Sequence, residues 1–133
     1  MLILPDTSCW VEYFRRQGDE AVRNQLLRWL EAGRLGICGP VRAEVLRGAR
    51  RPEAVRIRDA LAGLPHVPTL DEDWFTVEEK AQALAAKGCT VPLLDLLVAA
   101  VAVRAGALLA HKDAHFDAVG RVLPVRVHSF LTA

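Results

Sequence analysis

Between Pro92 and Ala110 the chain reads PLLDLLVAAVAVRAGALLA, and no other stretch constrains the fold as strongly. A helix that is apolar on every side has no face to give to water, so it is buried in a protein core or in a membrane. The clean apolar run, Leu96 to Val103, is far short of the roughly 20 residues that a membrane span needs. Asp95, Arg104 and Gly106 interrupt the remainder. The stretch is therefore expected to form a buried helix from Pro92 to about Ala105, leading into a strand at Ala107 to Ala110.

Other elements follow from local pattern. Leu2 to Leu4 reads as a short buried strand, Leu35 to Cys38 as a second, and Val125 to Val127 as another. His66 to Pro68 is a short extended piece. Helices are expected over Ser8 to Arg16 and Asp19 to Ala32. Another runs from Pro40 through Arg47, with Gly48 as its terminator, and the next starts at Pro52. Thr69 and Glu72 have capping-box spacing ahead of a helix that reaches Gly88. Asp71, Glu72 and Asp73 fall in its first turn, where carboxylates suit the helix dipole, and are assigned to structure. Strands alternating with helices imply an α/β fold with a mostly parallel sheet.

At 133 residues and 52% hydrophobic the chain suits a single domain, residues 1–133, with a real core. Cys9, Cys38 and Cys89 are odd in number and show no zinc-ligand spacing, which points to reduced thiols in a cytoplasmic protein. No signal-peptide pattern and no membrane span is present. The net charge of +1 hides a polarised chain. Arg15 to Arg58 holds eleven arginines against five acids, a half that suits a polyanion or equally a set of solvated helix faces.

Four acids resist a surface assignment. Asp6 ends the first strand, where it serves equally as a helix N-cap or as part of a site. Glu44 shares a helical stripe with Val41, Val45 and Gly48, although Arg47 offers it an i+3 ion pair. Asp95 sits in the first turn of the all-apolar helix, with Ala99, Ala102 and Gly106 on its side. That helix has no polar face, so Asp95 opens onto a cavity or a partner. Asp113 lies just past the end of a strand, as Asp6 does, and a turn or cap is its alternative reading. Glu12, with Arg15 and Arg16 at i+3 and i+4, is left on the surface. Of the histidines, His115 beside Asp113 is the one to watch.

Sites in open α/β sheets lie beyond the carboxyl ends of strands. If the four acids converge, they repel: two unit charges about 4 Å apart cost roughly 4 kcal/mol at an effective dielectric of 20. A divalent cation relieves this. Oxygen ligands without clustered His or Cys select Mg²⁺ or Mn²⁺ rather than zinc. Such a cation polarises a phosphoryl oxygen and activates water, which makes phosphodiester hydrolysis the natural reaction class. Dinucleotide, P-loop, zinc-protease and serine-hydrolase motifs are absent.

The segments LPDTSCWVEYF with Asp6, GPVRAEVLRG with Glu44, VPLLDLLVAAVAV with Asp95 and LLAHKDAHF with Asp113 resemble, in order, the PIN-domain ribonucleases. More narrowly they resemble the VapC toxins of type II toxin–antitoxin pairs. The resemblance implies a Rossmann-like α/β/α sandwich and a Mg²⁺- or Mn²⁺-dependent endoribonuclease. It also implies a metal site of Asp6, Glu44, Asp95 and Asp113, supported by Thr7 or Ser8, and products with 5′-phosphate and 3′-hydroxyl ends. A cognate VapB-like antitoxin and a homodimer are implied as partners. The helix carrying Trp10, Tyr13 and Phe14 is a candidate for the antitoxin groove, with core packing as the alternative. Two positions depart from the family pattern. Pro5 removes a backbone donor just before Asp6 and is expected to alter how the strand presents it. His115 stands where a further Asp is frequent. The rival readings are a non-catalytic PIN-like RNA- or protein-binding module and a phospho-receiver domain. The latter usually pairs acids after its first strand, whereas Thr7 and Ser8 follow Asp6 here.

Overall fold

The computed structural model describes residues 1–131. Five short strands and seven helices alternate along them. Strand β1 (Ile3–Pro5) leads into α1 (Thr7–Phe14) and α2 (Glu20–Glu31). Then come β2 (Ile37–Cys38), α3 (Gly39–Gly48), α4 (Arg51–Ala62) and β3 (His66–Val67). The chain continues with α5 (Asp71–Ala86), α6 (Leu93–Ala105), β4 (Leu108–His111), α7 (His115–Val119) and β5 (Val127–Ser129).

All strand pairings among the described residues are parallel. One sheet has the order β1-β4-β5 and a second pairs β2 with β3. A single bridge, Ile3 to Leu35, joins them. This is the α/β class with a parallel sheet that the alternation implied. The apolar helix is where expected. In α6 every residue from Leu96 to Ala102 is buried, so the helix sits in the core rather than on it. Gly106 ends it with φ +65°, a left-handed turn that returns the chain directly into β4.

Pro5 explains why the sheet divides. Leu108 N–H donates to Leu2 O and Asp6 N–H to Ala110 O, both at 2.9 Å, so these β1 positions face β4. Ile3 faces the other way, donating to Arg34 O at 2.8 Å and accepting from Gly36 N–H at 2.9 Å. Pro5, two residues on, also faces that side, and with no N–H it stops the ladder toward β2 after one bridge. The missing donor lies away from β4, so Asp6 keeps its strand hydrogen bond. The expected disturbance of Asp6 by Pro5 is not seen.

Other boundaries differ by a residue or two. Strand β1 includes Pro5 and excludes Leu2; α1 begins at Thr7 rather than Ser8; β4 and β5 are displaced toward the C-terminus. The cap of α5 is also one residue later than its spacing suggested. Leu70 N–H donates to Asp73 Oδ2 at 2.9 Å, and Thr69 and Glu72 do not form the box. Asp73 is 2% exposed and is neutralised by Arg104 Nε, 2.9 Å away on α6. That ion pair locks α5 against the central helix, which supports the structural assignment of this acid. Glu12 corrects the surface reading: it is only 7% exposed. Its carboxylate lies 2.7 Å from Arg15 Nη2 and 3.5 Å from Lys112 Nζ. No helix among the described residues is long and apolar enough to cross a membrane.

Candidate active site

Strands β1 and β4 are adjacent and parallel, so their carboxyl ends open at the same place. Asp6 follows β1, and Asp113 lies two residues past β4. Asp6 is 4% exposed. It is the N-cap of α1, accepting from Cys9 N–H at 3.3 Å, so one of its two open readings holds. The Ser8 hydroxyl donates to the same oxygen, Oδ1, at 2.5 Å. Both bonds use Oδ1 rather than Oδ2. Capping and site membership are therefore compatible, because each takes a different oxygen.

Ser8 does more than cap. Its Oγ accepts from Lys112 N–H at 2.9 Å while donating to Asp6, so it ties the end of β4 to the acid that ends β1. Thr7 Oγ1 donates to Glu44 Oε1 at 2.9 Å, linking the start of α1 to the middle of α3. These two hydroxyls, expected as supports of one acid, serve two different ones. The Lys112 side chain is drawn elsewhere, 3.0 Å from Asp19 Oδ2 and close to Glu12. The cation nearest to Asp113 in sequence is thus engaged by other acids.

Asp113 is held by its own turn. His111, fully buried against Phe116, accepts Asp113 N–H at Nδ1 (3.2 Å). Asp113 Oδ1 in turn accepts His115 N–H at 2.9 Å. The His115 ring folds back so that Nδ1 lies 3.0 Å from Asp95 Oδ2 and 3.1 Å from Asp113 Oδ1. Ligand atoms of Asp95, Asp113 and His115 all fall within 4.8 Å of one another. Glu44 and Asp6 are not among these converging atoms, but the Glu44 charge acts on Asp95, and Asp95 and Asp113 act on Asp6. An imidazole nitrogen, from the His115 singled out in the sequence, is thus among the converging atoms beside the expected carboxylate oxygens. Sequence reading also missed His111 and Lys112. Their neighbours in AHKDAH were visible, but the turn that uses a ring nitrogen and a backbone N–H was not.

The electrostatics match a concentration of negative charge out of water. Burial pushes the Asp6 carboxyl from 3.8 up to about 7; Ser8 and Cys9 oppose this, while Asp95 and Asp113 add to it. Burial likewise raises Asp95, reinforced by Asp113, with His115 pulling the other way. Cys9, packed beside Asp6, is raised well above the usual thiol range by burial and is an inert core residue. Desolvated carboxylates that crowd one another and still have open oxygens are the donor chemistry of a divalent-cation site.

Comparison with known proteins places the chain in a family. Residues 3–122 match the PIN domain family. The chain is 38% identical over 133 residues to VapC ribonuclease Mb1587 of Mycobacterium bovis, covering 97% of this chain and 99% of that protein. Ribonuclease VapC11 of Mycobacterium tuberculosis matches to the same extent, 38% over 133 residues. Among solved structures, VapBC2 from Rickettsia felis bound to a promoter DNA fragment superposes with a TM-score of 0.78 at 20% identity, covering 98% of this chain and 99% of that one. The shared fold, at that identity, and the curated relatives converge on one assignment. The chain belongs to the PIN-domain family, and within it to the VapC ribonuclease toxins of the VapBC toxin–antitoxin systems.

Proposed function

We propose that this ribonuclease is an endonuclease dependent on Mg²⁺ or Mn²⁺, with the cation bound by Asp6, Asp95 and Asp113 and by Glu44 directly or through water. The observation that carries this reading is the convergence of Asp95, Asp113 and His115 ligand atoms within 4.8 Å beside the buried Asp6 carboxylate. The donor set fits such an ion: Asp95 and Asp113 converge, and the Asp6 carboxyl is raised to about 7, chiefly by burial and further by the charges of Asp95 and Asp113. When bound, a divalent cation supplies Lewis-acid polarisation of the phosphoryl group and a water of lowered pKa.

The chain's own residues do the rest. Ser8 fixes Asp6 through Oδ1 and leaves Oδ2 for the cation. Thr7 fixes Glu44 through Oε1 in the same manner. His111 and the turn after β4 set the position of Asp113. Without a cation, this cluster repels a phosphodiester, so substrate entry and metal binding are coupled.

RNA is the substrate, and a VapB-like antitoxin is the partner that silences the toxin. A groove of about 230 Å³ between α1, α3 and α4, lined by Trp10, Val11, Phe14, Val45 and Ile57, supports the antitoxin site. Trp10 is buried and packs against Tyr13 and Phe14, so the aromatic helix is both core and groove wall. Homodimerisation and action in the cytoplasm complete the proposal. The test is RNA cleavage with Mn²⁺ or Mg²⁺, against EDTA, for the wild type and Asp95→Asn. Cleavage lost in EDTA and in the variant supports the assignment; cleavage unchanged by either rejects it, and RNA retention without cleavage favours a binding module.

A further inference from the structure

We propose that His115 is itself a ligand of the cation, through Nδ1, and that it biases the site toward Mn²⁺ and other transition metals over Mg²⁺. This inference rests on the metal-site reading above and extends it to the identity of the ion. Asp113 and His115 are separated by one residue, and the Asp113 carboxylate accepts the His115 N–H at 2.9 Å. That bond closes the turn and brings both side chains to one side. The ring then places Nδ1 between two carboxylates on different elements, 3.0 Å from Asp95 Oδ2 and 3.1 Å from Asp113 Oδ1. A nitrogen about 3 Å from each of two acid oxygens is spaced as a neighbouring ligand atom around one shared cation.

A purely structural ion pair would contribute little here. The His115 side chain is 48% exposed, and an exposed pair adds little to stability. Asp95 lies on the buried helix and Asp113 on a loop, and the imidazole touches both. Its remaining nitrogen, Nε2, has no protein partner there and is free to carry the proton once Nδ1 binds metal.

Ligand chemistry gives the consequence. Mg²⁺ is hard, prefers oxygen and keeps its waters, whereas imidazole nitrogen suits the later divalent ions. A set of two or three carboxylates and one imidazole therefore discriminates against Mg²⁺ where an all-carboxylate set would not. The surface position makes replacement tolerable: His115→Asp and His115→Asn remove the nitrogen without opening the core.

The experiment loads metal-free wild-type protein with Mn²⁺ and records electron spin echo modulation, together with Mn²⁺ and Mg²⁺ affinities by calorimetry. The expected result is an imidazole nitrogen coupling on bound Mn²⁺ that disappears in both variants. The ratio of Mn²⁺ to Mg²⁺ affinity is expected to fall by about tenfold or more in His115→Asp. Mn²⁺ that binds without nitrogen coupling, coupling that persists in the variants, or an unchanged ratio overturns the proposal while leaving the carboxylate site intact. Asp95→Asn separates the two readings, since its Mn²⁺ affinity drops if the carboxylate site is real, whatever His115 does. A wild type that binds no Mn²⁺ overturns both.

Discussion

Asp6→Asn should stabilise the metal-free protein. Asn keeps the Oδ1 acceptor used by Ser8 and by Cys9 N–H and removes only the charge. The sign follows from linkage. The Asp6 carboxyl titrates at 3.8 when unfolded and about 7 when folded, so the native state binds the proton more tightly. Below about pH 4 both states are protonated and the group is neutral in effect. Between there and about pH 7 the native state loses stability as pH rises, and above that the whole cost is present. From 3.8 to about 7, at about 1.4 kcal/mol per pKa unit, the cost is about 4 kcal/mol. The new amide hydrogens need acceptors, which reduces the expected gain to about 2–4 kcal/mol near pH 8. In a chain of this length that raises the melting temperature by about 10 °C. Urea and thermal unfolding in EDTA across this pH range measure it. The wild type should weaken as pH rises and the variant much less, with Asp95 leaving a residual slope. Parallel profiles, or a variant weaker than the wild type near pH 8, would refute the reasoning.

Further substitutions probe the supports of the site. Ser8→Ala removes the donor to Asp6 and leaves Lys112 N–H without its acceptor, which should cost about 1–3 kcal/mol in urea melts and weaken Mn²⁺ binding. Arg104→Met strands the buried Asp73 charge and should cost about 2–4 kcal/mol, recovered in large part by the double variant with Asp73→Asn. Saturating Mn²⁺ should raise the wild-type melting temperature near pH 8 and do so far less in Asp6→Asn, because the cation relieves the charge that the variant already lacks.

The central helix could be read because its pattern has only one physical solution. Leu96 to Ala102 are apolar on all sides, so they must be buried, and an acid at Asp95 on such a helix must have a use. The placement of Asp6 and Asp113 just past buried strands was legible, although each alone read equally as a cap or a turn. What escaped was everything that depends on residues far apart in sequence. Glu12 looked like a surface acid because Arg15 and Arg16 follow it at helical spacing; Lys112, from the far end of the chain, buries it. The α5 cap moved by one residue because Arg104 selects Asp73, a choice that local spacing does not contain. Thr7 and Ser8 looked interchangeable, yet Glu44 claims one and Asp6 the other. His115 was visible beside Asp113, but its reach to Asp95, a residue on another element, depends on the Asp113 turn and could not be read from local spacing.

The carboxylate cluster as a divalent-cation site is the claim on which the mechanism depends. Anomalous diffraction at the manganese edge, on crystals soaked in Mn²⁺, tests it most directly. The expected result is a peak with carboxylate oxygens of Asp6, Asp95 and Asp113 within about 2.0–2.4 Å, bounded on one side by Glu44 and His115. A peak elsewhere, or none at Mn²⁺ concentrations that support RNA cleavage, would contradict it.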